Sequence, residues 1–301
     1  MTPAFKTSLA STASSVEKHM ALLLQTKAQQ EKHPLPDHLS KAMQYAALSG
    51  GKRLRPLLIL ETAALFNRKD DGLLTAACAL ECIHCYSLVH DDLPAMDDDD
   101  LRRGRPTTHI AFDEATAILA GDALLTLAFD LIARQEVHQD PAIRLQLSQQ
   151  LAQSSGRCGM VGGQMLDLLS EHRERSETEI RQLQAMKTGE LLRYACYAGA
   201  TLANASPEHI KIMNRFGEII GLAFQLADDL LDVTATASQI GKATGKDADR
   251  GKATLVANMG IEATQKELVS LVNEAEQLLS VFGEKAHILQ QLAKYIAMRN
   301  K

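Results

Sequence analysis

Apolar residues recur at helical spacing along almost the whole chain. The pattern predicts amphipathic helices from Ser8 to Thr26 and from Asp37 to Ser49, with Asp37 as N-cap, and a shorter one from Leu57 to Phe66. A more uniformly apolar helix runs from Ala76 to Leu93, where Pro94 disfavours its continuation. Later helices are expected from Ala111 to Arg134, Pro141 to Ser155, Gly159 to Ser170, Ser176 to Ala200, Ile210 to Val233, Gly260 to Leu279 and Glu284 to Arg299. Two glycine features modulate this pattern. The dense glycines of 156–163 suit close helix packing, and Gly189, in the middle of a helix, predicts a kink that aims Lys187 and Thr188 into a cavity. No run of β-branched and aromatic residues reads as a strand, so the fold class is all-α. No linker or repeat divides residues 1–301, so a single-domain helical bundle is expected.

Composition narrows the function. With 46% apolar residues the 301-residue chain can bury a sizeable core, and a net charge of -5 argues against nucleic acid as a partner. The five cysteines fall in helical segments and read as core thiols of a reducing compartment. Cys82-Ile83-His84-Cys85 mimics half of a zinc site but lacks a second pair. No secretory leader is seen and no stretch reads as long and apolar enough to span a bilayer, so a cytoplasmic protein is expected.

Charge is concentrated where chemistry would need it. Asp91, Asp92, Asp97, Asp98, Asp99 and Asp100 fall within ten residues and lead directly into Arg102, Arg103 and Arg105. Carboxylates this close repel unless cations neutralise them, and all-oxygen donors suit a hard divalent ion such as Mg2+. The ordinary alternative is a solvated acidic loop. A second cluster, Asp228, Asp229 and Asp232, lies within a strongly apolar helix. Asp228 and Asp232 share one face, with Gln225 one turn earlier, and two such helices could flank one cavity. Carboxylates in so apolar a setting are costly without partners or metal. Lys52, Arg53 and Arg55 follow Gly50-Gly51 on a turn that displays cations beside a helix start, a ready anion site. Lys242, Lys246 and Lys252 sit in a polar loop that reads as a mobile lid.

Taken together and in order, the two aspartate motifs, Gly50-Gly51-Lys52-Arg53-Leu54-Arg55-Pro56, Leu101-Arg102-Arg103-Gly104, Lys187-Thr188 and the lysine loop resemble the trans-isoprenyl diphosphate synthases. The resemblance implies an all-helical bundle with a deep central cavity, acting as a homodimer on isopentenyl diphosphate and an allylic diphosphate. It assigns Mg2+ ions, three per site, to Asp91, Asp92, Asp97, Asp228, Asp229 and Asp232. It assigns the allylic diphosphate to Arg102, Lys187, Thr188, Gln225, Lys242 and Lys252, with Lys246 less securely placed. Isopentenyl diphosphate falls to Lys52, Arg55, His84 and Arg103. The chemistry implied is metal-assisted ionisation, condensation and proton loss.

Product length depends on the helix entering Asp91. Tyr86, five residues earlier, is placed to floor the pocket for the growing chain, and Ser87 beside it is small. This pattern resembles bacterial farnesyl-forming members, with geranylgeranyl- or geranyl-forming members as the alternative. A terpene cyclase would carry Asn, Ser/Thr and Glu in its second motif, and a non-catalytic synthase subunit would have lost aspartates.

Overall fold

The computed structural model describes residues 2–25, 33–170, 175–234 and 254–298. Lys242, Lys246 and Lys252, and with them the expected lid, lie outside the described residues. The long helices appear where apolar periodicity placed them, and two short ones, Thr108–Ala111 and Leu255–Met259, fall outside that expectation: α1 (Pro3–Leu23), α2 (Asp37–Ala47), α3 (Leu54–Leu65), α4 (Asp71–Asp91), α5 (Thr108–Ala111), α6 (Glu114–Ala133) and α7 (Pro141–Ser155). They continue as α8 (Met160–Leu168), α9 (Glu177–Gln184), α10 (Glu190–Leu202), α11 (Pro207–Thr234), α12 (Leu255–Met259), α13 (Ile261–Leu279) and α14 (His287–Met298).

The chain forms two compact units. One holds Thr7–Leu60 and Lys69–Ser148, the other Met1–Lys6, Glu61–Arg68 and Gln149–Lys301. In the first, α4 lies along α6, and α2 packs on both. Asp70 caps α4 by accepting from Leu73 N, and Asp113 caps α6 by accepting from Thr116 N at 2.7 Å. Ala76, Ala77, Cys78, Ala79, Leu80, Cys82 and Ile83 are all fully buried, so α4 is apolar around its whole circumference. In the second unit, α10 packs on α11, and α11 on α13 and α14. All five cysteines are free thiols, and burial pushes that of Cys85 up to about 12; Cys158 departs from the expected core position, exposed in the turn between α7 and α8.

Four expectations need correction. Two helices, Asp71–Asp91 and Glu114–Ala133, are long and apolar enough to cross a membrane by length and composition. The first earns its apolarity as a core helix, 78% buried in its most apolar window, and the second is only 39% buried there. Asp37 begins α2 rather than capping it, because Pro36 occupies the cap position. Pro56 sits in the third position of α3, which starts earlier, at Leu54. A short antiparallel ribbon also interrupts the helices, β1 (Leu101–Arg102) against β2 (Arg105–Pro106). Its two-residue turn, Arg103-Gly104, has φ of 54° and 75°, the left-handed pair of a tight hairpin.

Candidate active site

The first group of functional residues belongs to the α4–α6 unit. Helix α4 ends at Asp91, Asp92 occupies the cap, and the chain turns back so that Asp97 N donates to Asp91 O at 2.8 Å. The sequence reading of three aspartates gathered at a helix end therefore has a local basis in backbone geometry. Asp92 is buried, and Arg102 Nε donates to its Oδ1 and Oδ2 at 2.7 and 2.9 Å. Burial raises the Asp92 carboxyl above the usual range, Arg102 opposes this, and the neighbouring charges of Asp99 and Asp97 add to the rise.

The ribbon aims two arginines in different directions. Arg102 turns to Asp92, while the Arg103 guanidinium bonds Gly50 O and lies over Gly51, where a Cβ would come within 2.5 Å of Nη1. Gly51 at φ 126° is the residue that allows this approach. Arg105 stacks on Tyr45, 4.6 Å from its centroid, and the Tyr45 hydroxyl donates to Pro106 O at 2.7 Å, fixing the ribbon's outer strand.

Only part of the basic turn is displayed. Lys52 is exposed, but Arg53 is buried at φ 49° and pairs with buried Glu81 at 2.6 Å. It also donates to Ala47 O at 2.7 Å, so its role is to pin the turn to α2 and α4. Arg55 shares with Arg53 a buried Nε that has no hydrogen-bond partner, but its affinity for the proton is lowered, by burial and by the positive charge of Arg103, despite Glu81, whereas that of Arg53 is raised. His84 is held well below the usual imidazole range by burial and by Arg55, Arg103, Arg53 and Arg102. Two of the four cations are already paired, Arg53 with Glu81 and Arg102 with Asp92, which leaves Arg55 and Arg103 suited to an anion.

The second group belongs to the α10–α11 unit. The expected kink is a π-helical segment, Ala185–Gly189, joining α9 to α10. Glycine makes its seat: a Cβ on Gly163 of α8 would overlap the Lys187 main chain, and one on Gly221 of α11 would lie 2.7 Å from Gly189 Cα. Lys187 Nζ donates to Asp167 Oδ2 at 2.6 Å. Thr188 is half-buried beside it. On α11, Gln225 and Asp228 are half-buried and Asp232 is exposed, along one face. Asp229 lies about a hundred degrees round the helix and is buried. Its Oδ2 accepts from Gln184 Nε2 at 3.0 Å and from Leu255 N at 3.1 Å. The carboxylate is thereby tied to the start of α12 and to the end of α9.

Sequence reasoning missed Asp167, Glu81 and Gln184, each the partner of a residue it had noticed. A lone carboxylate in the apolar run Met160–Leu168 was the available signal for Asp167. Among the described residues no three His, Cys, Asp or Glu side chains close on one point. The donors in both aspartate segments are nonetheless carboxylate oxygens, and Asp97 and Asp99 bring like charge to the buried Asp92 that a hard cation would offset, so the residues present fit Mg2+.

The chain is 44% identical to the farnesyl diphosphate synthase of Escherichia coli (strain K12) over 266 residues, 87% of this chain and 89% of that one. It is 42% identical to the geranylgeranyl diphosphate synthase of Cyanophora paradoxa over 268 residues, 88% and 89% of the two chains. Its structure matches an FPP/GFPP synthase from Zymomonas mobilis with a TM-score of 0.88 at 41% identity, covering 98% of this chain and 100% of that one. The chain belongs to the polyprenyl synthetase family, matched over residues 36–294, and is a prenyltransferase.

Proposed function

We propose that this enzyme condenses isopentenyl diphosphate with dimethylallyl and then geranyl diphosphate to form farnesyl diphosphate, as the names of several relatives at 40–44% identity suggest. The observation that carries the reading is the pair of cations Arg55 and Arg103 acting on the half-buried His84, on the same unit as the Asp91–Asp100 carboxylates, with Arg53 and Arg102 already paired to Glu81 and Asp92. That pairing suits a diphosphate held partly by side chains and partly through cations. Asp91, Asp92, Asp97, Asp228, Asp229 and Asp232 are the candidate carboxylates for Mg2+, three ions per site on the family resemblance. When bound, the ions would supply Lewis-acid stabilisation of the charge that gathers on the departing diphosphate.

The chain's own cations do complementary work. Arg102, Lys187, Thr188 and Gln225 bind the allylic diphosphate, with Lys242 and Lys252 from the loop outside the described residues. Lys52, Arg55, His84 and Arg103 bind isopentenyl diphosphate, and the positive charge that Arg55 and Arg103 bring to His84 supports that assignment. The allylic C–O bond breaks, its electron pair leaving with diphosphate, and the isopentenyl double bond attacks the resulting cation. Positioning of the two substrates is a large part of the acceleration. A proton then leaves the new carbon skeleton for the released diphosphate.

Tyr86, buried with its phenol pushed up to about 12, first by burial and then by Asp91, stands near the first aspartate and limits the product. An aromatic ring there favours farnesyl over the longer product named for the Cyanophora relative. The partly exposed apolar face of α6, with Ile118 and Leu119 at 43% and 58% exposure and Ile110 nearby at 50%, fits a second copy of the chain, a homodimer. One family match spanning both units supports a single catalytic domain, and five free thiols fit the cytoplasm. The test is incubation with Mg2+, isopentenyl diphosphate and dimethylallyl diphosphate, followed by sizing of the dephosphorylated products. Farnesol as the main product supports the reading; no condensation, or a cyclic hydrocarbon, overturns it.

A further inference from the structure

The close approach of α4 and α6 near the first aspartate has a particular cause. A Cβ at Gly121 would overlap His90 Nε2 and lie 2.5 Å from its Cδ2, so the His90 ring occupies the space a side chain on α6 would fill. His90 Nε2 is 3.1 Å from Ile118 O, one turn earlier on α6. A carbonyl only accepts, so Nε2 carries the hydrogen and donates it. The ring is thereby fixed at both its edge and its tip. On the other side it meets Tyr86 edge to face, with centroids 5.8 Å apart and planes at 79°. Tyr86 and His90 are four residues apart on α4, which stacks them on one side of the helix. The order of restraint runs from α6 to the phenol: Gly121 makes room, Ile118 O holds His90, and His90 holds the Tyr86 ring.

We propose that His90 and Gly121 are specificity-determining residues that fix product length by locking the Tyr86 ring across the path of the growing chain. The inference rests on the reading of Tyr86 as the length stop given above. A ring held by an edge-to-face partner keeps one orientation. With the partner gone, the phenol can swing aside and admit another isoprene unit. Neither His90 nor Gly121 is among the residues assigned to metal or phosphate, so condensation continues in their variants.

The experiment supplies geranyl diphosphate, isopentenyl diphosphate and Mg2+ to the wild type, His90→Ala, Gly121→Ala, Tyr86→Ala and the double variant Tyr86→Ala/His90→Ala, and sizes the dephosphorylated products. The ratio of longer products to farnesol should rise about two- to tenfold in His90→Ala and in Gly121→Ala, the scale of one aromatic pair. In the Tyr86→Ala background, His90→Ala should change the ratio no further, because it acts through the ring that is already missing. If Tyr86→Ala lengthens the product while His90→Ala stops at the wild-type length, this inference falls and the reading of Tyr86 stands. If Tyr86→Ala does not lengthen the product, the reading of Tyr86 fails and takes the inference with it. A full independent effect of His90→Ala in the double variant also overturns it. Should Gly121→Ala fail to fold by circular dichroism, His90→Ala alone and in the double variant decides.

Discussion

Asp167 holds the side chain of Lys187 at 2.6 Å, while Gly163, one turn earlier on the same face of α8, gives the Lys187 main chain room to approach. Two residues spaced by four therefore position one lysine twice, at its backbone and at its ammonium. The π-helical segment is the local deformation that brings Lys187 to this seat. A cation placed in advance loses less freedom when an anion arrives. Lys187→Ala should lower kcat/KM for the allylic substrate by roughly ten- to a hundredfold, the loss of one charged contact worth about 1.5–3 kcal/mol. Steady-state kinetics with the allylic substrate varied will show it. An unchanged value would mean that Lys187 serves only Asp167.

Asp228→Ala should cut turnover at saturating Mg2+ far more than Asp98→Asn. Asp228 shares a face with Gln225 and Asp232, whereas Asp98 is exposed at φ 50°, where asparagine is well tolerated. Titrating activity against Mg2+ for both variants checks the assignment. Equal losses would show that the face of α11 does not define the site.

The long helices were legible from their apolar residues, whereas α5 and α12 are too short to show a period, and the end of α4 was legible because Pro94 follows shortly after the first aspartates. What periodicity could not reveal was pairing between distant positions. Arg53 looked like one of three displayed cations until Glu81, 28 residues later, was seen to accept from it in the core. Asp229 stood in the same motif as Asp228, yet the helical rotation between neighbours buries one and leaves the other half-open. The ribbon was invisible for another reason. Its hairpin turn uses Arg103 in a left-handed conformation, which carries no strong signal when the residue is not glycine or asparagine.

Arg55→Ala should raise the KM for isopentenyl diphosphate more than that for the allylic substrate. Arg55 feels the positive charge of Arg103 and has an unsatisfied Nε, and an anion there would relieve both the missing hydrogen bond and the repulsion from Arg103. The expected rise is roughly tenfold or more, one charge-assisted contact. Varying each substrate at a fixed level of the other separates the two constants. A rise confined to the allylic KM would reverse the division of sites.

Protonation of His84 should weaken the substrate-free fold in mild acid. Burial and the surrounding arginines depress its folded-state pKa, whereas in the unfolded chain an imidazole titrates near 6.5. Above about pH 6.5 both states leave it neutral, and it contributes no pH dependence. Below that, the unfolded chain takes up a proton that the folded one refuses, so stability falls by up to about 1.4 kcal/mol per pH unit. His84→Gln has no such proton to take up. Thermal unfolding of the metal-free wild type and of this variant, followed from about pH 7.5 to 5.5, should show the wild type losing ground relative to the variant as acid is added. Other histidines titrate equally in both proteins and cancel from the comparison. Bound inorganic diphosphate would offset the charge of Arg55 and Arg103, so the difference in slope should shrink in its presence. Parallel curves without diphosphate would mean that neither burial nor the arginines depress His84, and the anion site would lose that support.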